Sequence, residues 1–391
     1  GNELLLPYPM TVLNALAHLV TDPAFWQTVA LSLARILAGL AAGTLLGVLL
    51  GLVAGGFLIA LYGVNPFAAY GAILRGAFSS LASFTNVLVR SSPLLLGGIG
   101  VALGIKAGVW NTGMEGYMYM GGIGAAIVGV MDLGLPPIVH ILLCFLVGIL
   151  IAAAWGFIPG YLRAYKGVNE VTCTIMMSYI AIYLCNWVVS GSPIADTAAY
   201  YPMTLPFAKS ALMTIFMKGT SLHAGPFIGI ILGLVFHFVL KYTPFGFRTR
   251  MLGLNPNAAQ YAGVNSKKQI VIVMMVGAIL GGLSGAIECC GLKSRLYMEF
   301  VSGVGYESVA VALVAGGEPI GVVISALFFS VLKVGGATMS IETGIGASMT
   351  SVIIALCVLF VVGVGVADEK KRVKKAKKTA AIEEKKEETA K

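Results

Sequence analysis

Long apolar runs separated by short polar turns fill most of this 391-residue sequence, and their lengths predict an all-α polytopic membrane protein. The first run carries Gly39, Gly43, Gly47, Gly51 and Gly55, a glycine at every fourth position that leaves a flat stripe for close helix packing. After Asn65-Pro66, residues 67–84 read as an amphipathic helix with Arg75 on its polar face. Further spans are expected over 84–105, interrupted at Ser91-Ser92-Pro93, and over 117–132, 137–160, 226–240, 270–287 and 320–337. A helix starting at Asn169-Glu170 adds another, and a last span follows a loop from Gly335 to Gly346. The apolar stretch before Gly316-Gly317-Glu318-Pro319 is only about ten residues long, too short to cross a bilayer, and reads as a half-helix. Counting it gives about ten segments. Residues 1–33 read as a peripheral or interfacial segment, 34–367 as the transmembrane domain and 368–391 as a charged tail.

Charge gives these segments a direction. Lys241, Arg248, Arg250, Lys267 and Lys268 crowd one loop without an acid, which places it in the cytoplasm by the positive-inside rule. The tail sequence DEKKRVKKAKK puts the C-terminus on the same side, and alternation over ten segments puts the N-terminus there too. Arg163 and Lys166 mark a second turn on that side, and the polar residues 191–223 form the largest external loop. With 58% apolar and 11% charged residues and a mean hydropathy of +0.90, a soluble fold is excluded. The net charge of +9 sits in turns and tail that flank spans, so it marks orientation and not nucleic-acid binding. All six cysteines lie in apolar runs and the four histidines show no ligand spacing, so neither a disulfide framework nor a metal site is expected. The spans themselves are expected to target the chain, to a bacterial cytoplasmic membrane.

The most informative stretch is GFRTRMLGLNPNAAQYAGV, residues 246–264. Asn255 reads as an N-cap with Pro256 at the first helical position, followed by Asn257, Ala258, Ala259, Gln260 and Tyr261, and Gly263 stops the helix. A short capped helix held between two spans is either a connector or a docking surface. The stretch resembles the cytoplasmic coupling loop of ABC-importer permeases in the superfamily that carries branched-chain amino acids, ribose-type sugars and nucleosides. That resemblance implies that Arg248, Arg250 and residues 255–261 engage an ATPase subunit.

A second stretch, KAGVWNTGMEGYMYMGGIG from Lys106, places Asn111 and Glu115 among six glycines. It suggests a helix broken at membrane depth, which is tolerated only where backbone is buried or lines a wet path. If helical, Asn111, Glu115 and Tyr119 share one face and offer an amide, a carboxylate and a ring to a solute. The alternative is that Glu115 caps or crosslinks the break. The stretch resembles the F-N-I-G-x-E-G-Q signature of nucleoside-type permeases served by basic-membrane-protein lipoproteins, matching at Asn111, Gly113, Glu115 and Gly116. It departs at Trp110, Thr112 and Tyr117, so no contact of the signature's glutamine carries over. Residues 167–181 resemble G-V-N-E-V-x-x-T-I-M-x-N-Y-I-A of the same family, with Ser178 in place of the second asparagine. Glu170 there reads as a helix-start carboxylate.

The resemblance implies a permease subunit that moves a nucleoside by alternating access and performs no bond chemistry. Candidate solute contacts are Trp110, Asn111, Glu115, Tyr119, Ser178 and Glu307. The chain has no G-x-x-x-x-G-K-[ST] motif, and its GGLSGAIE resembles an ATPase signature by composition alone, so ATP and Mg belong to partner ATPase subunits. The other implied partners are a second permease, an extracytoplasmic nucleoside-binding lipoprotein and membrane lipid. Few intramembrane charges are expected along the route, which fits a neutral hydrogen-bonding solute. The alternatives are a permease for sugars or branched-chain amino acids, and a proton-coupled transporter with Glu115 and Glu307 as relays.

Overall fold

A computed structural model describes residues 23–365 and 367. Of the expected peripheral segment 1–33, residues 1–22 lie outside the described residues, as does the tail 368–391, and residues 23–33 open a helix continuous with the first span. Thirteen α-helices follow one another in the described chain, with a short 3-10 helix at Lys209–Ala211, a π-helix at Glu288–Lys293 and isolated β-bridges beside them. They are α1 (Pro23–Leu61), α2 (Pro66–Phe78), α3 (Leu81–Lys106), α4 (Met114–Gly129), α5 (Pro137–Lys166), α6 (Glu170–Gly191) and α7 (Gly225–Tyr242). Then come α8 (Pro244–Leu254), α9 (Pro256–Tyr261), α10 (Ser266–Ile287), α11 (Val304–Val314), α12 (Pro319–Thr343) and α13 (Ser348–Gly365). Among the described residues eight helices are long and apolar enough to cross a bilayer, the first of them over Thr44–Leu61 of α1. The 16-residue α4 and the 11-residue α11 bring the apolar segments to the expected ten.

Glycine decides how closely these rods approach. The α1 stripe lies on the last span, Gly47 against Val361, Gly51 against Cys357 and Gly55 against Ile353, so the two helices run antiparallel. A second seam joins α4, α5 and α10. A Cβ on Gly285 would fall 1.9 Å from the Met118 carbonyl oxygen, and one on Gly121 would fall 2.0 Å from that of Gly282. In a bilayer, where lipid competes for apolar surface, such backbone proximity is a main source of helix association.

Three expected boundaries move. Residues 67–84 are not one helix, because α2 ends at Phe78 and Ser80 caps α3, its hydroxyl accepting the Ser83 N–H. Ser91-Ser92-Pro93 does not interrupt α3; the Ser91 hydroxyl turns back to the Leu88 carbonyl, and the helix continues to Lys106. The loop expected from Gly335 is helical to Thr343, since Gly335 and Gly336 serve close contacts with Ile73 and Thr350 instead of a turn.

The basic turns gather at one end. Lys267 Nζ lies 5.4 Å from the Tyr165 ring centroid, joining the turn after α5 to the start of α10. Gly253 of α8 packs on Lys106 and Gly108, and Gly317 packs on Ile105. At the opposite end, main-chain bonds hold the long connection 192–224 against residues 290–298: Thr204 N–H to the Leu296 carbonyl (2.8 Å) and Met213 N–H to that of Cys290 (2.9 Å). Arg295 pairs with Asp196 at 3.3 Å, and Arg75 with Glu342 at 2.6 Å.

His223 ends that connection fully buried, its Nδ1 accepting the Gly225 N–H at 3.0 Å. Burial pushes its pKa down to about 4. An unfolded chain therefore takes up this proton below about 6.5 while the native one does not, so the stability is complete above that pH and is lost as pH falls toward 4. Thermal unfolding of the solubilised protein between pH 7 and pH 4 is expected to show a shallower pH slope in His223→Asn; an unchanged slope counts against it. In the same assay Gly285→Ala should cost about 1–3 kcal/mol or more by overpacking, whereas Gly363→Ala, with open space at its Cβ, should cost nothing measurable.

Candidate functional site

The chain enters the helix bundle where α3 ends. Gly108, at φ +68°, reverses its direction, and the Val109 N–H donates to the Gly104 carbonyl at 2.9 Å. Residues 109–112 then run back along α3 until Met114 lies against Gly100. Gly100 is six residues from Lys106, so α4 begins about 9 Å inside that end of α3.

This corrects the shared face expected of Asn111, Glu115 and Tyr119. Asn111 precedes the helix, so the three do not share a helical face, and all three side chains are buried. The Asn111 side-chain oxygen accepts the Gly113 N–H at 3.2 Å, while Tyr119 packs edge-on against Phe300, centroids 5.1 Å apart. Glu115 takes the alternative role. Its two oxygens accept the N–H groups of Gly303 (2.8 Å) and Gly305 (2.7 Å), the first donors of the half-helix α11. A helix start leaves such donors bare, and a carboxylate there gains both the bonds and the helix dipole. Bonds to a charged group are worth about 1.5–3 kcal/mol each.

The other expected contacts separate. The Ser178 hydroxyl donates to the Thr174 carbonyl at 2.9 Å and accepts the Gly116 N–H at 3.2 Å, so it knits α6 to α4. Glu307 receives both its bonds from Lys333 of α12, at 2.6 and 2.9 Å, a structural pair at odds with a free proton relay. Glu170 pairs with Arg163 at 3.1 Å beside its Asn169 cap, as expected of a helix-start carboxylate. Trp110 alone of the six candidates is broadly exposed, at 48%.

A cavity of ≈ 360 Å³ opens between α3, α4, α10, α12 and the segment leading into α11. Arg90, Glu288, Lys293, Glu299 and Lys333 line it beside Tyr297 and Phe300. Lys293 lies 3.7 Å from Glu288, donates to the Phe300 carbonyl and sits over the Tyr297 ring at 4.7 Å. With Glu307 on Lys333, three cations meet three carboxylates. The expectation of few charges along the route is thereby corrected: Arg90, Glu288 and Lys333 of the apolar runs join Glu307 there, and the cations and carboxylates at the cavity balance in number. Arg90, Glu288 and Lys333 stand inside apolar runs, a signal by which the sequence could have shown them.

At the basic end, the stretch 244–261 forms two helices, one more than the sequence suggests. Asn255 ends α8 and caps α9, its side-chain oxygen accepting the N–H groups of Asn257 (3.0 Å) and Ala258 (3.1 Å). Gly263, at φ +80°, stops α9 as expected. Ala259 is buried, while Arg248, Arg250, Pro256, Gln260 and Tyr261 face outward, Tyr261 at 94% exposure. Gln269 of α10 donates to Thr249 at 2.8 Å, and Gly253 sits on the Lys106 carbonyl, so the pair is braced against two spans.

Comparison with known proteins supplies the lineage. The chain is 32% identical to a guanosine ABC transporter permease of Bacillus subtilis over 79% of its own length and 89% of the relative's. It is 31% identical to a glucose ABC transporter permease of Haloferax volcanii over 88% of this chain and 89% of that one. A nucleoside ABC transporter permease of Lactococcus lactis subsp. cremoris is 29% identical over 78% and 86%. No solved structure matches. The profile of the family described as branched-chain amino acid transport system, permease component, matches residues 83–363, and the chain belongs to that family.

Proposed function

We propose that this chain is the membrane-spanning permease subunit of an ATP-driven nucleoside importer of the bacterial inner membrane. The observation that carries the reading is the braced and outward-facing pair α8–α9, a docking surface, in a chain whose relatives include guanosine and nucleoside permeases. Its partners are two ATPase subunits, which bind ATP and Mg, a second permease and an extracytoplasmic binding lipoprotein.

The geometry suggests how a pull would travel. An ATPase moving α8–α9 acts on α10 through Thr249–Gln269 and on the end of α3 through Gly253. Lys106, at that end, holds Glu318 in an ion pair, and Glu318 follows the two left-handed glycines Gly316 and Gly317 that terminate α11. The half-helix can thus pivot at one end while Glu115 holds its other end beside the cavity. A cavity with balanced charges suits a neutral solute rich in hydrogen-bonding groups.

A sugar is the second reading, favoured by the glucose permease relative. Reconstitution with the ATPases and binding lipoprotein separates the two: guanosine is expected to stimulate ATP hydrolysis and glucose is not, and the reverse pattern overturns the nucleoside assignment. In that preparation Tyr261→Asp, at a position too exposed to disturb folding, is expected to lower solute-stimulated hydrolysis about tenfold, within the usual range of coupling energies. Undiminished stimulation would remove α8–α9 from the mechanism.

A further inference from the structure

The outward face of α6 carries phenol rings along its middle turns, beside Met176 and Ile180. Its buried positions, Thr174, Ser178, Ala181, Cys185 and Val188, recur every three or four residues and pack toward α4. The opposite stripe carries Tyr179, Tyr183 and Trp187, exposed by 50%, 70% and 60%. The first half of α5 exposes Leu142, Leu146 and Leu150 and α7 exposes Ile231 and Leu234, aliphatic surface suited to lipid. The exposed phenols of α5, Tyr161 and Tyr165, lie within five residues of its end, at interfacial depth.

Depth makes the difference informative. Tyr179 lies nine residues from the start of α6 and Tyr183 eight residues from its end, about 14 and 12 Å along a helix. Interfacial aromatic belts occupy the headgroup level, several ångströms nearer the water. Two phenol groups facing hydrocarbon there would leave their hydroxyls unsatisfied, which is costly. The face continues to Tyr306 of α11, which sits beside Ser178 and Tyr179, while Trp110 lies by the start of α6, its main-chain N–H 3.4 Å from Glu170. All these aromatic side chains have flat rings, and most carry a hydroxyl or ring N–H at the edge.

We infer that this stripe is a wall of the solute path, on which the flat base of a nucleoside stacks as it passes Trp187, Tyr183 and Tyr179. The inference rests on the nucleoside reading above and adds the surface that recognises the base. Stacking requires only a π-face, so such a wall accepts purines and pyrimidines alike. The cavity beside α11 would then not be the only place where solute meets this chain.

The test uses the assembled transporter in proteoliposomes, with Cys173→Ala to remove the one partly exposed native thiol. Tyr183→Cys is treated with a charged, water-borne methanethiosulfonate reagent, and Leu146→Cys on α5 serves as the lipid-facing control. The thiol at 183 is expected to react and that at 146 to stay inert, with saturating guanosine slowing the reaction at 183 at least about fivefold, the low end of usual ligand coupling. An inert thiol at 183, or one that reacts at the same rate with guanosine present, overturns the inference. Tyr183→Phe is expected to retain the KM for guanosine and Tyr183→Leu to raise it; equal KM values contradict stacking. Guanosine-stimulated ATP hydrolysis by the unsubstituted complex is measured alongside. If it is present while position 183 fails, the wall alone is wrong; if it is absent, the nucleoside reading falls and the inference with it.

Discussion

Two helix starts point at one another inside this bundle, and one carboxylate allows them to do so. The first turns of α4 and α11 meet so closely that a Cβ on Gly305 would lie 2.2 Å from the Glu115 backbone nitrogen. Both ends carry partial positive charge and bare N–H groups, so bringing them together in a medium without water is unfavourable on two counts. Glu115 answers both, because its charge opposes the dipoles and its oxygens take up the donors of α11. Without it, the buried Gly305 N–H would lose its acceptor inside the bundle. The broken segments, the cavity beside them and the short α11 all depend on that contact.

The junction also gives the bundle a mechanical order. Residue contacts run from α8 to the end of α3 and through Lys106–Glu318 to α11, whose start Glu115 holds at the cavity. The elements between α8 and the cavity are rods or tight turns, linked by backbone packing at Gly253, the Lys106–Glu318 ion pair and the bonds of Glu115 to the α11 backbone. Such a series can pass a displacement without any helix unfolding, as rigid-body switching requires. The glycine seams serve the same end. Gly285 and Gly121 bring α4 and α10 to backbone distance, and Gly305 brings the half-helix to the same distance from α4.

Local features were legible in the sequence. Asn255-Pro256 and Gly263 bound α9 because a cap, an N1 proline and a left-handed stop are properties of adjacent residues. The glycine stripe of α1 and the short length of α11 were readable for similar reasons. The role of Glu115 could be stated only as one of two alternatives, since its donors lie 188 and 190 residues away. The solute face expected of Asn111, Glu115 and Tyr119 assumed a continuous helix, and Gly108 breaks that assumption by turning the chain early. Arg90 and Lys333 each stand as a lone cation in an apolar run, which marks them as candidates, but only the fold shows that they share one cavity. The pairing of Glu307 with Lys333 spans two helices and leaves no trace in spacing.

Hydrogen exchange at the backbone amides of Gly303 and Gly305, in protein held in lipid nanodiscs, tests the junction most directly. With Glu115 in place both amides should be among the slowest of the chain, and Glu115→Gln should speed them at least about tenfold while leaving α5 and α13 unchanged, as expected of local opening. Equal protection in the two proteins would contradict the account, because α11 would then be held by something other than this carboxylate.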